Sequence, residues 1–393
     1  KYSQYPSVVM IYNGVKSGHP DEIAIDICLQ LLSNTSGTGL LDKQTINGDL
    51  LGGSAQMLSF REQGRNIVMG VPYYDEGQRR FESNKSVEKK LLSSVQQIAA
   101  GEFESWVVDA IKVNLCRDFD LQMESNDFKA QLLMNAFINE EDLNRVLNFK
   151  DEVMSVSLDD IKRVAKEYLT DNYIVIFNER GKPAKSEKIR KPGYKPIEPP
   201  VGQSSMYAQQ FRNMATGKVE EKFVDLSKVQ ERKLNDYSRV YYTQNTENDV
   251  FTLVLKYGAG TAVFPKLVYA AGLMDNAGIL GNLTPQELKE ELSKLHVTCN
   301  IQADRDYLYV TLRGYENTLQ DACLLLTRQL LMPGLDEKQL NSLIGNAATS
   351  RLTRKDDVNL LGNALNQYLV YGEQSVYKKE LTDKELIELT ISD

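Results

Sequence analysis

The sequence predicts an α+β fold of two homologous domains, each a mainly antiparallel sheet with helices packed on one face, joined by a Pro/Lys-rich linker. Three observations carry that prediction. At 393 residues the chain is too long for one hydrophobic core. Five of its eleven prolines crowd into residues 178–205, NERGKPAKSEKIRKPGYKPIEPPVGQSS. The blocks on either side repeat one order of elements: strand, helices, strand, strand, helix. The predicted partition is therefore a domain at 1–178, a linker at 179–216 and a second domain at 217–393 that is cut short at its end.

In the first block, PSVVMIYNG reads as a strand and HPDEIAIDICLQLLS as a helix, with His19 at its start and Pro20 at the first helical position. DLLGGSAQMLSF and RNIVMGVPYY read as a strand pair, and SVEKKLLSSVQQIAAG as a helix. Further helices follow. In SLDDIKRVAKEYL, Ser157 is a cap and Val156, Ile161, Val164, Ala165 and Tyr168 fall near helical spacing. The strand YIVIFNE closes the block. Proline fixes φ and donates no N–H, so the basic, proline-rich stretch is predicted to be a solvated, extended connector.

In the second block, DVFTLVLKYGAG is a strand and YAAGLMDNAGILG a helix. In TPQELKEELSKL, Thr284, Pro285 and Glu287 spell a capping box with proline at the first helical position, and Leu288, Leu292 and Leu295 make one stripe. VTCNIQA and YLYVTLRGY form the strand pair, and TLQDACLLLTRQLL the next helix. The helices after residue 335 meet no closing strand before Asp393.

Composition is that of an ordinary globular protein, with 42% apolar and 25% charged residues. A net charge of −8 argues against nucleic acid and anionic membrane surfaces as partners. No apolar run has membrane-spanning length, and no signal peptide is recognisable in the first residues. The compartment is left open. Cys28, Cys116, Cys299 and Cys323 are too scattered for a zinc ribbon or a redox pair, and they read as buried free thiols.

Neither a nucleophile elbow nor a P-loop is present, and GAGTAV at 258–263 lacks the third glycine of a dinucleotide turn. The two histidines, His19 and His296, give little material for imidazole chemistry. His296 and Cys299 lie three apart. On a strand they would point to opposite faces and share no ion.

The element order, the proline-rich connector and the run VYYTQNTENDVFTLVLKYGAG followed by LVYAAGLMDNAGILGN resemble the pitrilysin/insulinase family of zinc metallopeptidases, the inverzincins. That family's HxxEH helix works because residues i and i+4 share a face, so two imidazoles grip one Zn²⁺ while a carboxylate polarises its water. Matched residue by residue, the first His position is Gly272, the Glu position is Asp275 and the second His position is Asn276. The later helix, which in the family supplies a glutamate ligand, has none between Glu337 and Glu373. The resemblance thus implies a non-catalytic middle portion, with no catalytic and no metal-binding residue in this chain, and with Asp275 as a surface or cap residue. Zinc would belong to a preceding domain of the parent protein.

The stretch LLSNTSGTGLLDKQTINGDLLGGSAQMLSF is similar to the family segment that ends in a glycine pair and an exposed strand. That likeness implies a peptide-anchoring strand with Gly52 and Gly53 as substrate-binding residues, where bare backbone admits close approach. A bulge without a ligand is the alternative. The expected role is chamber wall and peptide-anchoring surface of an insulinase-type endopeptidase. The expected partners are peptide substrate and the parent's remaining domains or a catalytic subunit. The rival expectation is a catalytically dead scaffold subunit of a peptidase-like complex.

Overall fold

The computed structural model describes residues 6–75, 80–179, 193, 195–198, 202–215, 217, 223, 225–354 and 357–393. The chain divides into a compact unit formed by 1–182 with 246–393, and a second unit at 183–245.

The larger unit begins with β1 (Ser7–Gly14), α1 (Glu22–Gln30), α2 (Leu40–Ile46), β2 (Leu50–Ser59) and β3 (Gly64–Pro72). A two-residue hairpin follows, β4 (Tyr74–Asp75) with β5 (Arg80–Phe81). Next come α3 (Asn84–Ala100), α4 (Ser105–Gln122), α5 (Asn126–Asn139), α6 (Leu143–Leu147), α7 (Phe149–Ser155), α8 (Leu158–Tyr168) and β6 (Tyr173–Asn178). The sheet is antiparallel in the order β2-β3-β1-β6. Alternation along each strand sorts its side chains between two faces. Val8, Met10 and Tyr12 of β1 are buried under α1, α3 and α8, together with Ile25, Leu29, Leu91, Ile98 and Ile161. On the other face Ile174 and Ile176 are exposed. The helices therefore cover one side only, and each fully buried aliphatic side chain there contributes roughly 1.5–3 kcal/mol.

In the smaller unit Ser205 caps α9 (Met206–Asn213), and β7 (Gln230–Lys233) pairs with β8 (Arg239–Tyr242). The remainder of the larger unit holds β9 (Val250–Tyr257), α10 (Leu267–Asp275), β10 (Gly278–Ile279), α11 (Pro285–Lys294), β11 (Thr298–Ala303) and β12 (Leu308–Tyr315). After these come α12 (Leu319–Leu331), β13 (Pro333–Gly334), α13 (Glu337–Arg354), α14 (Val358–Tyr371), α15 (Val376–Lys379) and α16 (Asp383–Ile387). The second sheet is antiparallel in the order β11-β12-β9, over a core that includes Leu288, Leu292, Ile301, Val310, Leu312 and Leu326. The order β1-α1-α2-β2-β3-α3 thus recurs as β9-α10-α11-β11-β12-α12, in mixed helix and antiparallel sheet as the sequence predicts.

The two sheets' helices meet through α4. Arg117, 2% exposed, donates from Nη1 to the carbonyl of His296 at 2.8 Å and to Asn114 Oδ1 at 3.0 Å. Lys43 and Glu290 pair at 3.0 Å, and the ammonium of Lys294 lies 5.2 Å from the Trp106 ring.

Several local expectations are corrected. The first helix starts at Glu22, not at His19 and Pro20, because the His19 ring accepts the Asp21 N–H at 3.1 Å and holds those residues in a turn. His296 is not on a strand. It ends α11 with φ +56°, and Val297 N–H reaches back to the Leu292 carbonyl at 2.9 Å, which closes the helix. Only Cys28 and Cys116 are buried; Cys299 and Cys323 are half-buried. Residues 180–192, 194, 199–201 and 216 of the predicted linker lie outside the described residues, and its later part, beyond the proline-rich stretch, holds helix α9.

Candidate functional site

The resemblance singled out two places, the end of α10 and the edge strand β2. At the first, Asp275 is the last residue of α10, and its Oδ1 accepts the Ile301 N–H of β11 at 2.7 Å. That is neither a surface role nor a cap, as the sequence suggested, but a tether between a helix and a strand edge. Burial raises its carboxyl above the usual range, against the bond from Ile301 and the Lys289 charge. Asn276 is equally committed. Its Nδ2 donates to the Gly272 carbonyl at 3.0 Å and its Oδ1 accepts from Lys289 Nζ at 3.0 Å. An ideal Cβ on Gly272 would stand 3.3 Å from Leu343 of α13, tighter than ordinary packing.

At the second place, β2 is an edge strand whose only strand partner among the described residues is β3. In an antiparallel pair, residues alternate between exchanging both backbone bonds with the partner and turning both groups away. The hairpin bond Phe60 N–H to Gln63 O at 3.2 Å sets the phase. Counting back through Leu58↔Arg65, Gln56↔Ile67, Ser54↔Met69 and Gly52↔Val71, these residues bond to β3. Gly53, Ala55 and Met57 then turn their N–H and C=O outward.

The glycine pair therefore splits. A Cβ on Gly53 would meet Leu41 Cβ of α2 at 2.9 Å, so that glycine is required by helix packing, whereas a Cβ on Gly52 would meet nothing within 4 Å. The register slips between Leu50 and Gly52, a bulge at the start of the strand. Sequence reasoning missed Ala55 and Met57, because an outward N–H is a matter of register and leaves no mark on residue type.

No family model matches the chain. Over 153 residues it is 20% identical to the zinc protease PqqE of Helicobacter pylori, a match that covers 39% of this chain and 33% of that protein. The match thus spans about a third of the curated relative's length. Among solved structures, a peptidase M16 inactive domain from Pseudomonas fluorescens aligns over 47% of this chain and 43% of its own, with 14% identity and a TM-score of 0.39. The chain resembles the zinc proteases of the pitrilysin/insulinase family. A further similar structure is the ferredoxin protease FusC in complex with Arabidopsis ferredoxin, which aligns over 100% of this chain and 46% of its own, with 12% identity and a TM-score of 0.41.

The family's zinc does not fit the residues present at α10. Gly272 offers no side chain, the Asn276 amide is bonded at both ends, and the neighbouring cation Lys289 would oppose a second positive charge. Among the described residues no group of three or more His, Cys, Asp or Glu side chains comes together as a metal site. No helix among them is long and apolar enough to cross a membrane.

Proposed function

We propose that this chain is a non-catalytic region of an insulinase-type zinc endopeptidase that holds peptide by strand addition at β2 and forms part of the wall of the parent's reaction chamber. In this reading 1–178 and 217–393 are two peptidase-like domains, 179–216 connects them, and zinc sits elsewhere in the parent. The observation that carries it is the outward backbone of Gly53, Ala55 and Met57 on an edge strand. An extended peptide laid there gains main-chain hydrogen bonds without requiring a particular side chain, and the bare Gly52 leaves the open face beside it clear. The partners are peptide substrate and the parent's remaining domains or a catalytic subunit.

Ala55→Pro tests it. The substitution removes an N–H that faces away from β3, so the sheet keeps its ladder while the added strand loses a bond. Peptide affinity should fall about tenfold, the equivalent of about 1.4 kcal/mol. Gly52→Trp should weaken binding too, with the thermal midpoint of the free protein unchanged. Unchanged affinity in both variants would remove the β2 site.

A second reading, a catalytically dead scaffold subunit, is favoured by the commitment of Asp275 and Asn276 to structural bonds. The intact mass of the natural product separates the two. A much longer polypeptide with an HxxEH segment supports the first reading, and a species of this size supports the second.

A further inference from the structure

A cavity of about 500 Å³ lies among α1, α4, α5, α6 and α7, and β2 touches it only through Met57. Helix α5 spans it without packing down: of its residues only Ala136 is buried, although Phe128 and Leu132 reach the cavity. Three phenylalanines form an aromatic wall. Phe119 of α4 meets Phe128 edge-on, with ring centroids 6.3 Å apart, and leans on Phe149 of α7 at 5.1 Å. Ile23 and Leu115 extend that apolar surface.

The carboxylates in the wall are unevenly used. Glu22 and Glu152 both pair with Arg145, the only cation among the described lining residues, at 3.3 Å and 2.9 Å. Glu141 Oε1 accepts from Ser17 Oγ at 2.6 Å and Asn139 Nδ2 at 3.1 Å. Asp118 Oδ1 accepts from Arg117 Nε at 3.0 Å and Nη2 at 2.8 Å. Asp26 is left over. Its Oδ2 accepts from the neutral Gln30 amide at 3.0 Å, and no hydrogen bond or ion pair among the described residues reaches its Oδ1. Burial raises its carboxyl to about 6, against the Gln30 bond and with the Glu22 charge, so at pH 8 the group is ionised and has no counter-charge.

We infer that this cavity binds a small organic cation that joins one ammonium group to an aromatic body, an arylalkylamine, with the ammonium on Asp26 and the ring against Phe119, Phe128 and Phe149. A carboxylate without a cation selects the ammonium, which brings both the charge and the hydrogen-bond donors that Oδ1 lacks. The aromatic wall selects the ring through offset and edge contacts, and its ring faces also favour a nearby cation. The volume falls within the usual range of small-molecule sites. None of these contacts uses the outward backbone of β2, so the amine site is separate from the peptide strand.

The test is isothermal titration of the whole chain at pH 8 with 2-phenylethylamine, 2-phenylethanol and ethylamine. The arylalkylamine should bind about tenfold more tightly than the alcohol, since a hydrogen bond to a charged group contributes about that factor. It should also bind at least about tenfold more tightly than ethylamine, which lacks the ring. Asp26→Asn should weaken the arylalkylamine about tenfold and leave the alcohol unchanged, a difference that a general loosening of the fold would not produce. Leu132→Trp, which fills the cavity from α5, should abolish binding of both. Equal binding of arylalkylamine and alcohol, no binding of the arylalkylamine, or equal binding of the two amines would overturn the assignment. So would unchanged arylalkylamine affinity in either variant.

Discussion

Asp26 projects from α1 with a single hydrogen bond, from Gln30 Nε2 at 3.0 Å. Burial pushes its carboxyl up to about 6, opposed by that bond and helped by the Glu22 charge. A folded-state value above the unfolded one means the group costs nothing while protonated in both states, below about pH 4. Its cost grows as pH rises through about 6 and is constant above. Asp26→Asn should therefore stabilise the protein at pH 8, by at most about 2–3 kcal/mol, and leave it unchanged at pH 4. Urea unfolding at both pH values checks this, and equal effects at the two would contradict it. Arg117 is the opposite case, a buried cation with its partners in place. Arg117→Met should cost about 1–3 kcal/mol by leaving the His296 carbonyl and Asn114 without their donor. At this scale the sequence could be read for types and not for partners. That YAAGLMDNAGILG holds no histidine is plain from the sequence, whereas the bond from Ile301 to Asp275 depends on a strand 26 residues away.

Among the elements, caps were the most legible. Thr284 accepts the Glu287 N–H at 3.2 Å while Glu287 reaches back to the Thr284 N–H at 2.8 Å, and Ser157 and Asp160 do the same for α8. Thr284→Ala should lower stability by about 1 kcal/mol, read as a reduced thermal midpoint, because the box fixes the start of α11 and with it Leu288 and Leu292. Gly70 illustrates what was not legible. A Cβ there would stand 2.9 Å from Val87 and 3.1 Å from Leu91, so α3 lies directly on β3. Gly70→Val should be strongly destabilising, by roughly 1–3 kcal/mol or more from overpacking. The strand pairs could be read from alternation, but the run from α4 to α7 could not be divided. Its breaks are set by caps such as Ser125 and Asp142, and α5 leaves Leu133, Met134, Phe137 and Ile138 exposed, against the usual apolar stripe.

Across the whole larger unit, the duplicated order of elements was visible in the sequence because it is written in period and spacing. The junction of the two sheets' helices was not, because Arg117, Lys43 and Trp106 find their partners only through tertiary packing. Trp106, the single tryptophan, stands at that junction. Its fluorescence should change together with the far-ultraviolet circular dichroism on urea unfolding, and an earlier fluorescence transition would mean that the junction opens by itself. The central claim concerns peptide held without cleavage, and one measurement meets it directly. A long, unstructured basic peptide carrying a fluorophore is titrated into the chain and into Ala55→Pro with zinc present, and its mass is read at the end. The account predicts saturable binding, about tenfold weaker in the variant, and an intact peptide. Equal affinity in the two proteins, or cleavage that a chelator abolishes, would contradict it.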